Sequence, residues 1–494
     1  MLSYIEKDVA IIVNQLKPKP AKTRKGLKIT LIAILALLVV ITAGTLFTWN
    51  MYGRPSLRSA NIAHVRTMDF TSVSFYPPSF ATDALYLVRL VEQAHPTFIV
   101  DGWLPDHYEA ARDEFLAYAQ YEHLTRLDFA FAVARFITLL RDGHMSGQGV
   151  LIGQDEYGVW GLEIFGDLLD VRWSEINNNL HLRNEDGELT GSIVTEVGGV
   201  PTAYVFAVID RYFYAENDAE RQHNYVILSR FGDIIERAGG TISGNEVILT
   251  LYTNGTISHE TATLEPPEPW YGDDYIIRYE IKDDVFFIDL RVFIDGPHID
   301  ETVRAIKQAI ENGIQKFIVD LRGNGGGASI AGQRLLEAMG ITVPRFGSIR
   351  RISPHLISQT GMFPLHVLRW FGMDYARIEA HIPENNNPNN VFVSVLTNSS
   401  SYSSATMMGV WVQDGGFGNI VGSASRNAPT AFGDILGFTL PYSGFVGSVS
   451  HVLWFRPDTN ADQSILLPDI IVEPGHALEA ALEYLRNMSM PNTN

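Results

Sequence analysis

The 494-residue chain contains no cysteine. This absence excludes disulfide bonds, thiolate nucleophiles and zinc sites built on cysteine. The sequence also has no repeat of fixed period and no low-complexity tract. Its length and composition are those of a globular protein of roughly three domains.

Positive charge is scarce outside the first 28 residues. Those residues hold seven Lys or Arg and two acidic residues, a net charge of +5, whereas the whole chain carries −19. The rest of the chain therefore carries −24. Nucleic-acid binding requires a basic surface, so the acidic body argues against a nucleic-acid partner.

Residues 29–49 (ITLIAILALLVVITAGTLFTW) form a run of 21 residues without a charge. About 20 apolar residues span a bilayer, and this run exceeds the roughly 7–15 of a signal-peptide core. Because Lys and Arg mark the cytoplasmic side, we predict one transmembrane helix with residues 1–28 in the cytoplasm and the catalytic part outside. Cleavage near Ala43 and Gly44 is the alternative. A large extracytoplasmic chain without disulfides indicates a bacterial surface.

The chain beyond the apolar run divides into a linker and three predicted domains. The linker covers residues 50–80. Helical spacing of apolar residues predicts a small helical domain over residues 81–149, and short apolar runs between turns predict a β-rich module over residues 150–265. Strands and helices alternate over residues 270–485, which is typical of an α/β domain built on a largely parallel sheet.

Residues 391–415 (VFVSVLTNSSSYSSATMMGVWVQDG) contain a predicted strand, a corner crowded with serines and a helical segment. A hydroxyl at the N-terminus of a helix lies beside free backbone N–H groups, which stabilise a developing negative charge. The corner is therefore a candidate nucleophile site. A simple helix cap is the alternative, because Ser and Asn are common capping residues.

Residues 322–327 (RGNGGG) follow a second predicted strand and precede a helix. The glycines loosely fit a dinucleotide-binding fingerprint. However, no acidic residue closes the expected next strand, and no Gly-Lys-Ser/Thr follows for a phosphate loop. Glycines at this place can also bring backbone N–H groups close to a ligand oxygen, and a purely structural turn is the remaining alternative.

His144 follows a helix predicted over residues 127–140 and an Asp142–Gly143 turn. We expect it just beyond the helix end, where the helix dipole favours a cation. A surface histidine at a turn is the alternative.

Together these motifs resemble the C-terminal processing peptidase and tricorn-type serine peptidase family. The resemblance covers about residues 83–480, in five motifs that occur in the family's order. They lie at residues 95–96 with 142–144, 320–326, 398–405, 432–434 with 438–441, and 468–473. The resemblance implies a ClpP/crotonase-like catalytic domain, an N-terminal helical domain and a divergent PDZ-like module within residues 150–265. It also implies a protein or peptide substrate and no metal or organic cofactor.

By position, the resemblance implies that Ser403 is the nucleophile. It likewise implies an oxyanion hole formed by the N–H of Ser404 and an N–H from Gly325 or Gly326.

The general base departs from part of the family. In the processing peptidases a lysine serves as base, and Ala428 occupies the matching position. Arg426 cannot replace it, because a guanidinium does not lose its proton usefully. An acidic residue usual shortly after the serine is replaced by Thr406.

The tricorn branch instead uses a histidine base supported by a hydroxyl and a carboxylate. By position this arrangement implies His144 as the base and Asp462 as the carboxylate, with Asp142 and Glu473 as alternatives for the carboxylate. A serine, a histidine and a carboxylate are chemically sufficient for peptide hydrolysis. The sequence thus predicts a membrane-anchored extracytoplasmic serine endopeptidase. The alternative is an inactive relative that binds peptides or acts as a scaffold.

Overall fold

The structure is a computed structural model that describes residues 54–55, 78–146, 153–154, 160–161, 166–266, 275–361, 363–384 and 386–488. The predicted transmembrane segment at residues 29–49 lies outside the described residues. Within those residues, no helix combines the length and the apolar character that crossing a bilayer requires.

The N-terminal part is helical, as the spacing of apolar residues predicts. Its helices are α1 Phe80–Ala94, α2 Tyr108–Tyr118, α3 Arg126–Thr138 and the single turn α4 Gly143–Ser146. The side chains of Ser79 and Thr125 cap α1 and α3 by accepting backbone N–H groups. The stacked rings of Phe115 and Phe136 lie between α2 and α3, with ring centroids 4.7 Å apart.

The end of α3 differs from the sequence prediction. The helix ends at Thr138 rather than at residue 140, and Arg141 adopts a left-handed backbone with φ 54°. His144 consequently lies in α4, a new turn that starts at Gly143. It therefore does not follow the C-terminus of a long helix, and the expected support of a cation by that helix end does not apply.

The β-rich module contains an antiparallel sheet and three helices. The short strands β1 Arg54–Pro55, β2 Gly153–Gln154 and β3 Trp160–Gly161 precede this sheet in the chain. The sheet has the order β4–β10–β9–β7–β6–β5, with β8 paired to β7. Its strands are β4 Leu168–Leu169, β5 Arg172–Ile176, β6 Asn179–Arg183, β7 Leu189–Val197, β8 Val200–Pro201, β9 Glu246–Thr253 and β10 Thr256–Glu265. The helices are α5 Thr202–Tyr212, α6 Asp218–Leu228 and α7 Gly232–Arg237. The assignment of this module as PDZ-like stays a prediction.

The last part is built on a largely parallel sheet, as the alternation of strands and helices predicts. The sheet has the order β11–β12–β13–β16–β17–β20, and only its edge strand β11 is antiparallel to its neighbour. These strands are β11 Ile277–Lys282, β12 Val285–Leu290, β13 Lys316–Asp320, β16 Phe392–Thr397, β17 Gly418–Gly422 and β20 Ile470–Ile471. The helices of this part are α8 Pro297–Glu311, α9 Ile330–Ala338, α10 Pro354–Thr360, α11 Phe363–Trp370, α12 Ser404–Gly415 and α13 Ala477–Asn487.

Both faces of this parallel sheet are buried. On β13, Phe317 and Val319 belong to one apolar core, and Ile318 belongs to the core on the opposite face. Successive strand residues point to opposite faces, so a strand covered on both sides carries apolar residues at consecutive positions. This explains the apolar stretches 317–319 in β13 and 392–393 with 395–396 in β16.

A second, antiparallel sheet joins the helical part to the α/β part. Its order is β1–β15–β14–β19–β18. Its remaining strands are β14 Gly347–Arg351, β15 Tyr375–Ile378, β18 Ala431–Thr439 and β19 Val446–Phe455. The turn α4 packs against β18 and β19. This contact places His144 beside the parallel sheet.

One buried ion pair ties this second sheet to α12. The Nη2 atom of Arg456, just beyond β19, lies 2.7 Å from Oδ1 of Asp414 in α12, and the two side chains are 3% and 1% exposed. We expect Asp414→Ala to lower the free energy of unfolding by about 3–5 kcal/mol, because it leaves a buried guanidinium without its carboxylate. Denaturant unfolding measures this loss. The control Arg221→Ala removes an exposed pair with Asp218, and we expect a change of about 1 kcal/mol or less.

Candidate active site

Ser403 lies where β16 gives way to α12. Its backbone has φ 53° and ψ −116°, and its side chain forms no hydrogen bond that caps the helix. A positive φ in a residue other than glycine costs about 1–3 kcal/mol and occurs mainly where function requires it. The Oγ atom of Ser403 lies 3.0 Å from Nε2 of His144. The hydroxyl therefore faces the histidine rather than the end of the helix.

The neighbouring serines are engaged in structural hydrogen bonds. Ser401 is buried and donates its hydroxyl to the carbonyl oxygen of Leu321, 2.7 Å away. Ser404 donates its hydroxyl to the carbonyl oxygen of Gly327 at 2.6 Å. Both bonds attach the serine corner to the segment after β13. Ser403 is thus the serine of this corner whose hydroxyl meets a base.

A buried carboxylate fixes the backbone of His144. Oδ1 of Asp142 accepts the backbone N–H of His144 at 2.9 Å, and Oδ2 lies 3.1 Å from Nε2 of His95. The backbone N–H of Thr97 donates to Nδ1 of His95, so His95 carries its proton on Nε2 and donates it to Asp142. Burial opposes ionisation of Asp142, but this bond and the nearby histidines outweigh it and hold its pKa below the usual value. Asp142 is therefore an ionised anchor.

The surroundings of His144 keep its ring neutral. Burial lowers the pKa of His144, and the nearby carboxylates of Asp142 and Asp434 offset part of this effect. A neutral imidazole is the form that can accept a proton from a serine hydroxyl. His144 thus has both the distance and the protonation state that a general base needs.

The glycine loop lies directly against Ser403. A Cβ atom at Gly326 would lie 2.7 Å from Cβ of Ser403, and the backbone there has φ 104°. The N–H of Gly326 already donates to Oδ1 of Asn324 at 2.8 Å, so it does not fit the expected role as an oxyanion donor. No hydrogen bond in the described part of the chain uses the N–H of Gly325. Gly325 and Ser404, the first residue of α12, are the expected donors that remain.

A cavity of about 650 Å³ opens onto the serine. Its lining includes His144, Gly325, Ser403 and Ser404, together with residues 427–429 and 431–435. The cavity has the size of a small-molecule or peptide side-chain site, which ranges over roughly 300–1,000 Å³.

Asp462 lies away from the expected place beside His144. Its side chain is at an exposed turn, where Oδ1 accepts the backbone N–H groups of Ser464 and Ile465. The Ser464 hydroxyl, which donates to the same oxygen, and these backbone N–H groups hold the pKa of Asp462 below its usual value. The short aspartate side chain is thus satisfied by its own turn. Glu473, another alternative, follows β20 and precedes the short helix Pro474–His476.

Glu216 is the carboxylate that the sequence reasoning missed. It lies in the connection between α5 and α6, where Oε1 accepts the N–H of Gly143 at 3.0 Å. Oε2 accepts the N–H of Ala428 at 2.7 Å. Ala428 is the position that holds the catalytic lysine in the processing peptidases, so here that position helps to bind a buried glutamate. The only local signal was Asn217, which caps α6, because the partners of Glu216 lie far away in the chain.

Asp142, His144 and Glu216 offer ligand atoms that lie within 4.8 Å of one another. The oxygens of Asp142 and Glu216 already accept N–H groups of the protein. Their chemistry is therefore that of groups that position the histidine, and this cluster needs no metal to explain it.

A serine hydroxyl at the end of a parallel strand, with a neutral histidine within hydrogen-bonding distance, is the arrangement of a serine hydrolase. The model of peptidase family S41 matches residues 285–470, from the start of β12 to the start of β20. Residues 285–470 thus resemble this family, and the match indicates a serine-type hydrolase.

Solved structures with the same fold cover most of the chain. The structure of mature CPAF has 15% sequence identity and a TM-score of 0.56, over 83% of this chain and 95% of CPAF. CPAF in complex with lactacystin has 15% identity and a TM-score of 0.55, over 83% and 97%. At such identities the similarity shows a shared fold. Comparison with curated proteins finds no match.

Because Gly326 lies so close to Ser403, a substitution at Gly326 tests whether the glycine loop positions the serine. We expect Gly326→Ala to displace Ser403 and to lower its reaction with a serine-directed phosphonate about a hundredfold, because the added Cβ meets backbone atoms at 2.9 and 3.0 Å. The matched control is Gly325→Ala, whose Cβ meets no atom within 4 Å. Equal labelling rates of the two folded variants would contradict this account of the loop.

Proposed function

We propose that the protein is a membrane-anchored serine endopeptidase whose catalytic domain lies outside the cytoplasm. The observation that carries the proposal is the 3.0 Å separation of Ser403 Oγ and His144 Nε2. A serine is unreactive without a base. At this distance His144 can act as the base, although Ala428 occupies the lysine position. The similarity of residues 285–470 to a peptidase family supports a protein or peptide substrate.

The proposed reaction is acyl transfer in two steps. Ser403 attacks the carbonyl carbon of the peptide bond while His144 takes the hydroxyl proton on Nε2. The N–H groups of Ser404 and Gly325 stabilise the oxyanion of the tetrahedral intermediate. His144 then gives its proton to the leaving amine, and water, deprotonated by His144, hydrolyses the acyl-enzyme. These steps need no metal or organic cofactor.

The membrane part of the proposal rests on the sequence. Residues 29–49 are long and apolar enough to span a bilayer, and the basic residues before them favour a cytoplasmic N-terminus. The backbone of Arg54–Pro55, soon after that segment, pairs with β15 of the antiparallel sheet. The proposal therefore implies a catalytic body held next to the membrane surface.

Labelling with a biotinylated aryl phosphonate tests the catalytic role of Ser403. We expect the full-length protein to be labelled at one serine. Ser403→Ala and His144→Ala should each lower the labelling rate about a thousandfold or more, because nucleophile and base act as a unit. Ser399→Ala is the matched control, since it removes a half-buried hydroxyl from the same corner, and its rate should equal that of the unaltered protein.

A peptide-binding scaffold is the second candidate, favoured by Ala428 and Thr406. An unaltered, folded protein that is never labelled, together with peptide binding that survives Ser403→Ala, would support the scaffold and overturn the peptidase.

Membrane fractionation tests the anchor. The full-length protein should stay with the membrane after alkaline carbonate extraction, and a protease added outside the cell should reach its catalytic body. Leu37→Arg combined with Val40→Arg should release the protein or block its insertion, since each arginine at a span centre costs about 2.5–3.5 kcal/mol. Unaltered protein that is fully extracted by carbonate would contradict the predicted span.

A further inference from the structure

The Nδ1 atom of His144 needs a partner of its own. For Nε2 to accept the proton of Ser403, the ring proton of the neutral imidazole must lie on Nδ1. The polar atoms nearest to Nδ1 are the Tyr402 hydroxyl oxygen at 3.4 Å and Oδ1 of Asp142 at 3.9 Å. Oδ1 of Asp142 already accepts the backbone N–H of His144. The hydroxyl of Tyr402 is thus the group best placed to accept from Nδ1.

Tyr402 is held firmly in this place. Its side chain is 1% exposed, and the guanidinium carbon of Arg426 lies 4.7 Å from the centre of its ring. Its backbone N–H donates to the carbonyl oxygen of Asn324 in the glycine loop. The rings of Tyr402 and His144 lie with their centroids 4.8 Å apart. The hydroxyl therefore cannot swing away from the imidazole without repacking the site.

The same hydroxyl lies close to the carboxylate of Glu216. A Cβ atom at Gly143 would lie 2.5 Å from the Tyr402 hydroxyl oxygen and 2.8 Å from Oε1 of Glu216. Both oxygens therefore lie next to Gly143, where a Cβ atom would collide with them. Burial and then the charge of Glu216 raise the pKa of Tyr402 well above its usual value. The hydroxyl consequently keeps its proton and has it to donate.

Glu216 is surrounded by donors. Its two oxygens accept the N–H groups of Gly143 and Ala428 and the side-chain amide of Asn427. Three donors suit the ionised carboxylate, which only accepts. Burial and the neighbouring Glu220 act in the opposite sense and raise the pKa of Glu216. When it is ionised, Glu216 can therefore accept one more hydrogen bond, that of the Tyr402 hydroxyl.

We propose that Tyr402 and Glu216 are positioning residues for the base of this peptidase. The Tyr402 hydroxyl accepts the hydrogen bond of His144 Nδ1–H and donates its own to the Glu216 carboxylate. This chain fixes the tautomer whose Nε2 faces Ser403, and it stabilises the imidazolium that forms when the serine proton arrives. Only that proton moves, from Ser403 Oγ to His144 Nε2 and on to the leaving amine. The inference rests on the proposed peptidase function.

The experiment uses full-length protein, phosphonate labelling over a range of pH, and thermal unfolding as a check of folding. We expect Tyr402→Phe to lower the labelling rate roughly ten- to hundredfold, because the base loses its orientation but keeps its place. The acid limb of the profile should also move to lower pH, since the imidazolium loses stabilisation. The control is Tyr225→Phe, which removes a hydroxyl bonded to the Asp210 carboxylate at 2.7 Å in the β-rich module. This control variant should change neither the labelling rate nor the pH of the acid limb.

Glu216→Gln supplies the second probe. The amide can donate to the Tyr402 hydroxyl and so reverse the direction of the hydrogen bonds, which favours the wrong tautomer of His144. We expect a similar loss of rate and a shift of the acid limb to lower pH. The other charged groups around His144, namely Asp142, Asp434 and Arg426, are unchanged in this variant. The double variant with Tyr402→Phe should label no more slowly than the slower single variant, because both act through one chain.

A folded Tyr402→Phe variant with an unchanged rate and an unchanged acid limb would overturn the inference. Multiplying losses in the double variant would also overturn it, since they would show independent roles. If Glu216→Gln does not fold, Tyr402→Phe decides alone. These failures differ from failure of the proposed function, in which the unaltered protein itself is not labelled and the positioning roles fall with it.

Discussion

The position of His144 depends on two buried carboxylates that hold consecutive backbone N–H groups. Glu216 accepts the N–H of Gly143, and Asp142 accepts that of His144. The turn that carries the base is too short to be stable alone. Removing charges from water is costly, so each carboxylate persists only because several donors satisfy it. The donors come from the helical part and the loop around Ala428, so the base is placed by tertiary contacts.

The sequence predicted the parallel sheet, the glycine loop and the serine corner because each has a local cause. A strand buried on both faces has apolar residues at consecutive positions, and residues 391–396 and 317–321 are apolar except for Ser394 and Asp320. The end of α3 was harder, since Arg141 adopts a left-handed backbone that no local residue pattern indicated. The sequence also did not reveal that Gly326 is unsuited as an oxyanion donor. Its N–H already donates to Oδ1 of Asn324.

The carboxylate partner of the base could not be predicted by chain order. Asp462 was inferred from its place before the closing segments, but a short side chain beside Ser464 bonds to its own turn. Glu216 is 73 residues from one of its donors and 211 and 212 from the other two, and no spacing pattern joins them. Ala428, which occupies the lysine position by resemblance, and the buried Glu216 are direct neighbours, because the N–H of Ala428 donates to Oε2 of Glu216. Neither residue explains the site without the other.

The nucleophile and its base are 259 positions apart in the chain. During synthesis from the N-terminus, His144 is made long before the serine corner. Once the whole chain is made, Ser403 comes within hydrogen-bonding distance of His144 only when the antiparallel sheet packs against α4. An unfinished or unfolded chain therefore holds a weak hydroxyl and no base. The arrangement of a serine hydrolase thus exists only in the folded chain, where residues 259 positions apart lie side by side.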